Sequence, residues 1–124
     1  MTFDQPDLLP LLDALDATAL DALPFGVIHC DPQLVVQRYN RYECVHTGLK
    51  AENVIGRPLF TEIAQCMNNF MVAQRIEDAL AAGQALDATI DYTLTWRMRP
   101  TPVKLRMLTS VEPRAAYVLL LRLA

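Results

Sequence analysis

A chain of 124 residues holds one compact domain and is too short for two. With 52% hydrophobic and 20% charged residues it has the apolar content of a globular domain with a true core. A net charge of -3, with only a thin basic group at Arg97, Arg99, Lys104 and Arg106, lacks the dense patch of a nucleic-acid module. The first residues carry Asp4 and Asp7 and no basic side chain before Arg38, unlike a secretory signal. The longest apolar run, Ala115 to Leu121, is too short to cross a bilayer. Three cysteines without a C-x-x-C spacing give neither a disulfide framework nor a zinc site, so the expected setting is reducing and cytoplasmic.

Taken in chain order, Asp7 to Leu23 places Leu8, Leu11, Leu12, Leu15 and Leu20 at roughly helical spacing. Pro10 near the start suits a first turn. One or two short amphipathic helices are expected, lying on the domain's own sheet or on a partner. Phe25 to Cys30 and Leu34 to Tyr39 read as strands around the turn residues Asp31-Pro32-Gln33. Asn40 then resembles a helix N-cap with Glu43 as its reciprocal carboxylate, and Gly48 stops that helix. Shorter turns are expected over Glu52 to Ile55 and Thr61 to Gln65. The strongest helical period runs from Phe70 to Ala82, closed by Gly83. Leu86 to Trp96, Val103 to Ser110 and Ala116 to Leu123 read as three strands, separated by loops with Pro100 and Pro102 and with Glu112-Pro113-Arg114.

Two strands, a helical block and three more strands make an α+β domain. The expected arrangement is a five-stranded antiparallel sheet covered on one face by short helices and one longer helix, which is the PAS architecture. Residues 1–23 form an N-terminal helical cap and residues 24–124 the PAS domain.

Tyr39, Glu43 and Thr47 are spaced by four, so a helix beginning after Asn40 brings a phenol, a carboxyl and a hydroxyl toward one patch. Such a group can cradle a buried anion, with Glu43 donating only if burial keeps it protonated. Spacing alone favours the plainer reading: a cap partner, a strand-end aromatic and a helix-end hydroxyl. Cys30 and Cys44 fit as small buried apolar residues. Cys66 sits at a break between helical segments, where a thiol can be reached. His29 and His46 have no metal-ligand set, no phosphate loop exists, and Met67, Met71, Met98 and Met107 read as core fillers. No enzyme activity is expected.

Together these residues resemble the photoactive yellow protein family of blue-light photoreceptors. The similarity runs through Leu23-Pro24-Phe25-Gly26-Val27-Ile28, Gln37-Arg38-Tyr39-Asn40-Arg41-Tyr42-Glu43, Thr47-Gly48, Val54-Ile55-Gly56 and Phe60-Thr61-Glu62-Ile63-Ala64-Gln65-Cys66. It resumes at Asp91-Tyr92-Thr93-Leu94-Thr95-Trp96-Arg97-Met98 and Val103-Lys104-Leu105-Arg106-Met107. The resemblance implies a PAS sensor carrying a 4-hydroxycinnamoyl (p-coumaric acid) thioester on Cys66, its phenolate held by Tyr39, a protonated Glu43 and Thr47. It implies photoisomerisation, proton transfer from Glu43, and loosened packing around the new buried carboxylate. Leu49 stands where members often carry a lid arginine, and Gln65 where a proline commonly precedes the cysteine. Leu94 and Trp96 replace bulky aromatics, Met98 is kept, and the stretch from Met67-Asn68-Asn69-Phe70 differs.

Two other readings remain at this stage. One is a chromophore-free interaction module, with the Leu-rich N-terminal helix making a homodimer. The other is a PAS sensor of haem or a small metabolite. The chain holds no effector domain, so the expected partner is a separate signalling protein, with neither nucleic acid nor membrane involved.

Overall fold

The structure, a computed structural model, describes residues 1–95 and 98–123. The N-terminal segment forms two helices, α1 (Leu8–Ala14) and α2 (Ala17–Asp21), and Pro10 falls in the first turn of α1, where its missing N–H costs nothing. Asp16 caps α2 by accepting from the Ala19 N–H at 2.8 Å. The strands are β1 (Gly26–Cys30), β2 (Val36–Tyr39), β3 (Leu86–Leu94), β4 (Thr101–Val111) and β5 (Arg114–Arg122). They pair antiparallel throughout in the order β2-β1-β5-β4-β3.

Period-two alternation along β1 and β5 divides the core into two layers. Ile28, Cys30, Val118 and Leu120 point to one face, with Val54, Leu59, Phe60, Met67, Val72 and Ile76 packed over them. Val27, Tyr117 and Leu119 point to the other, with Phe3, Leu8, Leu12 and Leu20 over them. Both faces are therefore covered, where the sequence suggested one. The leucine stripe of α1 lies on the domain's own sheet: Leu8 and Leu12 are fully buried there, and that stripe is not free to make a dimer.

Between β2 and β3 the chain passes through α3 (Arg41–Thr47), a 3-10 turn (Ala51–Asn53), a π-helical turn (Leu59–Ile63), a second 3-10 turn (Gln65–Met67) and α4 (Ala73–Ala82). Asn40 caps α3, its Oδ1 accepting from the Glu43 N–H, and Gly48 closes it at φ 77°, where a side chain would be strained. The long helix starts at Ala73, three residues later than its apolar period suggests. Asn69 Oδ1 accepts from the backbone N–H groups of Met71 and Val72, holding the chain in a turn and leaving Phe70 77% exposed. Pro102 lies inside β4, close enough to its start that only one early position loses a donor. The expected extension of β3 to Trp96 lies outside the described residues.

Candidate functional site

The layer over Ile28 and Leu120 is incompletely filled. Tyr39, Glu43, Thr47, Leu49, Cys66 and Arg122 come together, with apolar neighbours, around a cavity of about 30 Å³. That volume suits one or two water molecules, whereas an aromatic ring needs on the order of 150 Å³. Tyr39 arrives from the end of β2, Glu43 and Thr47 from successive turns of α3, Cys66 from the second 3-10 turn and Arg122 from the end of β5. All four site residues expected from the sequence therefore line one cavity. Leu49 lines it as an apolar wall, and Leu94 lines it from β3.

Proton positions within the cradle follow from counting donors. Thr47 has one hydroxyl proton, and its Oγ1 lies 2.7 Å from the Glu43 carbonyl, which can only accept. The 3.0 Å contact between Tyr39 Oη and Thr47 Oγ1 is then a bond donated by Tyr39. The Leu49 N–H adds a 3.3 Å bond to the same oxygen. Burial pushes the Tyr39 phenol above its ordinary pKa of 10.0, Glu43 pushes it further, and Thr47 opposes the rise. Tyr39 is a neutral hydrogen-bond donor throughout the physiological range.

Glu43 lines the cavity, but its carboxylate has a partner that neither sequence reading named. Its carboxylate does not return to the N-terminus of α3. It forms an ion pair with Arg122: Nη1 to Oε1 at 2.5 Å and Nη2 to Oε2 at 3.3 Å. The Glu43 side chain is 2% exposed and that of Arg122 is 12% exposed. Gly26 makes this possible, because a Cβ on β1 there would stand 2.0 Å from Glu43 Oε1. The Arg122 backbone N–H donates to Tyr42 Oη at 3.0 Å, and its guanidinium lies 5.4 Å from the Tyr42 ring centroid. The Tyr42 ring stacks in turn on His46. Burial works against the Arg122 cation, but hydrogen bonding and charge attraction from Glu43 and then Tyr42 outweigh it, so its pKa lies above the ordinary value.

Arg122 is the site residue that sequence reasoning missed. As the first charge after the apolar run of β5 it reads as a strand end. The signal was present, however: Val118, Leu120 and Arg122 share one face by alternation, and the first two belong to the cavity-side core.

Among the three thiols, burial pushes Cys30 up to about 12 and also raises Cys44. Cys66 is half-buried, and it alone among the described cysteines lines the cavity. Its carbonyl accepts from Tyr92 Oη at 2.6 Å, and Asn69 Nδ2 donates to the same phenol at 2.6 Å, so β3 fixes the turn that carries the thiol. Cys66 also lines an open groove of about 590 Å³ with Asn69, Met71, Tyr92 and Leu123. The thiol thus borders the small, mainly apolar cavity on one side and a larger open groove on the other. No α-helix N-terminus follows it to activate it: the next residues form the 3-10 turn and the Asn69 turn.

Met67 and Met107 are buried as expected, but Met71 and Met98 are exposed, Met98 at 95%. Met98 is absent from the residues lining the cavity, and Trp96 lies outside the described residues. His29 stacks on Tyr117 and accepts from Arg38. No cluster of His, Cys, Asp or Glu among the described residues could hold a metal ion, and no helix among them is long and apolar enough to cross a membrane.

A phenol donor, an ionisable carboxyl, a cation and a half-buried thiol around one apolar cavity suit an aromatic acyl group with an acidic hydroxyl. Tyr39, Thr47, Glu43 and Arg122 form the polar part of the lining, and Cys66 offers the nucleophile. The donor set fits such a group, although the lining must yield to admit it.

Comparison with known proteins identifies the fold and the family. A family model described as PAS fold matches residues 14–122. Photoactive yellow protein of Rhodothalassium salexigens is 28% identical over 120 residues, covering 97% of this chain and 95% of that protein. Photoactive yellow protein of Halochromatium salexigens is 28% identical over 98% of this chain and 96% of its own length. The photoactive yellow protein domain of the sensor histidine kinase Ppr from Rhodospirillum centenum superposes with a TM-score of 0.83 at 35% identity, covering 90% of this chain and 97% of that domain. The chain belongs to the PAS-fold family and, within it, to the photoactive yellow protein family.

Proposed function

We propose that this protein is a blue-light sensor whose chromophore is a 4-hydroxycinnamoyl group in thioester linkage to Cys66. The observation that carries the reading is the convergence of Tyr39, Glu43, Thr47 and Cys66 on one cavity. When bound, such a group supplies visible absorption and a double bond that light can isomerise.

Cys66 takes up the acyl group from the open groove. Its Sγ bonds to the acyl carbon as the C–S bond of an activated thioester donor breaks, and its proton leaves on the departing thiol. Tyr39 turns its O–H from Thr47 to the hydroxyl end of the acyl group, and Glu43 bonds to the same oxygen. Leu49 and Leu94 exclude water there, which strengthens both bonds. After illumination Glu43 would pass its proton to the oxygen it is hydrogen-bonded to and become a buried carboxylate, and that charge would loosen the packing around it.

In this reading residues 1–23 are a cap on the far face of the sheet and residues 24–124 the sensory domain. The partner is a signalling protein that reads the changed surface, in a cytoplasmic setting. The protein carries out no catalysis.

Incubation with activated 4-hydroxycinnamic acid, followed by intact-mass and visible spectra, tests the reading. One acyl group and a blue-absorbing band are expected in the wild type and absent in Cys66→Ala. Failure to load under conditions that load a relative of known chromophore content would contradict it. Glu43→Gln, once loaded, is expected to absorb further to the red and to lose the light-driven proton step. An unchanged spectrum would remove Glu43 from the cradle.

A further inference from the structure

The Glu43–Arg122 pair raises a question of charge. A glutamate in bidentate contact with a guanidinium, both nearly excluded from water, is a carboxylate. It therefore has no proton to offer while Arg122 is in place. An anionic oxygen brought to Tyr39 with Glu43 still ionised would put two negative charges side by side in a water-excluded space. Among the described residues, the charged and titratable groups facing the pair are few: Tyr39 from β2, Tyr42 and Cys44 from α3, Cys66 from the 3-10 turn, and Asp21 from α2 beyond Cys44. Arg122 is the cation among these described groups, placed to compensate a new anion.

We infer that Arg122 is an exchangeable counter-ion that makes the cavity selective for aromatic ligands with an acidic hydroxyl. In the ligand-free protein it keeps Glu43 ionised. On ligand entry the hydroxyl proton passes to the Glu43 carboxylate, and Arg122 transfers from Glu43 to the oxygen that lost the proton. One O–H bond breaks, one forms, and the cavity keeps the same net charge. Glu43 thereby acquires the proton that its proposed signalling role requires.

Three features of the site support the exchange. Arg122 is anchored at its backbone by Tyr42 Oη and at its guanidinium by the Tyr42 ring, so it can leave Glu43 without leaving the site. The cavity of about 30 Å³ must enlarge before a ring enters, and Arg122 lines it. Leu49 provides no competing cation at the lid. The inference rests on the reading of this cavity as an aromatic acyl site.

Infrared spectroscopy of the ligand-free protein provides the first test, independent of loading. A protonated-carboxyl band assigned to Glu43 by its loss in Glu43→Gln is expected to be absent in the wild type and present in Arg122→Met. The second test compares the protein before and after loading with the activated thioester of 4-hydroxycinnamic acid. The band should appear on loading in the wild type and be present throughout in Arg122→Met. In that variant the bound hydroxyl should titrate at higher pH, while Arg122→Lys restores part of the shift. The 4-methoxy analogue has no proton to give, so it should leave Glu43 ionised and load less completely. A Glu43 carboxyl band already present in ligand-free wild type, or equal hydroxyl titrations in wild type and Arg122→Met, would overturn the inference. If no acyl group loads on any variant, the reading of the site falls and the ligand exchange falls with it. The ligand-free band still decides whether Arg122 holds Glu43 ionised.

Discussion

The two faces of the sheet use arginine in opposite ways. On the far face, Arg38 donates to the carbonyls of Leu12 and Leu15 and to Tyr117 Oη, while Asp13 accepts from that same hydroxyl. Arg106 donates to the carbonyls of Phe3 and Gln5 and grips Asp87 through two nitrogens. Each of these arginines ties several points of the N-terminal segment to the sheet, and neither can be released without freeing that segment. On the cavity face Arg122 has one carboxylate, one ring and a backbone bond. Many fixed partners make a clamp. One partner of opposite charge makes a contact that a competing anion can take over.

The largest effect expected from breaking this contrast comes from Arg122→Met. Removing one member of a nearly buried pair costs about 3–5 kcal/mol, so the denaturant midpoint at neutral pH should fall substantially. Combining it with Glu43→Gln should recover most of that loss, because no buried charge is then left alone. Additive losses in the double variant would show that the pair is not coupled. Leu12→Ala on the far face is expected to cost about 2–5 kcal/mol through a cavity under the cap. It should leave the spectrum of the loaded protein unchanged, and a shifted spectrum would mean that the two faces are not separable.

Gly26→Ala is expected to cost about 1–3 kcal/mol by overpacking against Glu43. It should also displace that carboxylate from Arg122, so that a further Arg122→Met substitution costs little more. Full additivity between them would place Glu43 elsewhere. The smallest effect is a pH dependence on the far face. Burial first, and Arg38 next, lower the His29 pKa from its ordinary 6.5, while Asp13 and Asp31 oppose the shift. The unfolded chain then binds a proton more readily than the folded one. The stabilising contribution is complete above about 6.5 and is lost as pH falls below it toward the lower folded value. Urea midpoints between pH 7.5 and 5.5 should therefore decline less steeply in His29→Phe, and parallel slopes would exclude His29 as the cause.

Where sequence and structure agree, local chemistry and long-range packing act together. Asn40 and Gly48 bound α3 for local reasons: the Asn40 side chain caps the first turn, and Gly48, having no Cβ, takes the left-handed position without strain. The near-continuous apolar runs of β1 and β5 announce central strands because both faces of the sheet are buried there. The start of α4 was not legible, since the apolar period continues back through Phe70 while a single Asn69 side chain redirects the backbone. The cradle was half legible: Tyr39, Glu43 and Thr47 are near in sequence, but the partner of Glu43 lies 79 residues away on β5. Spacing puts Glu43 on one face with Thr47 but does not separate a cap partner from a buried cradle, and what it meets is set by the long-range approach of β5.

Illumination of the loaded protein decides whether the cavity around Cys66 is a light-responsive aromatic acyl site. The visible band of the Cys66 adduct is expected to bleach under blue light and to recover in the dark, and Glu43→Gln to lose the proton-transfer phase. A stable adduct whose spectrum does not change under blue light would contradict that reading.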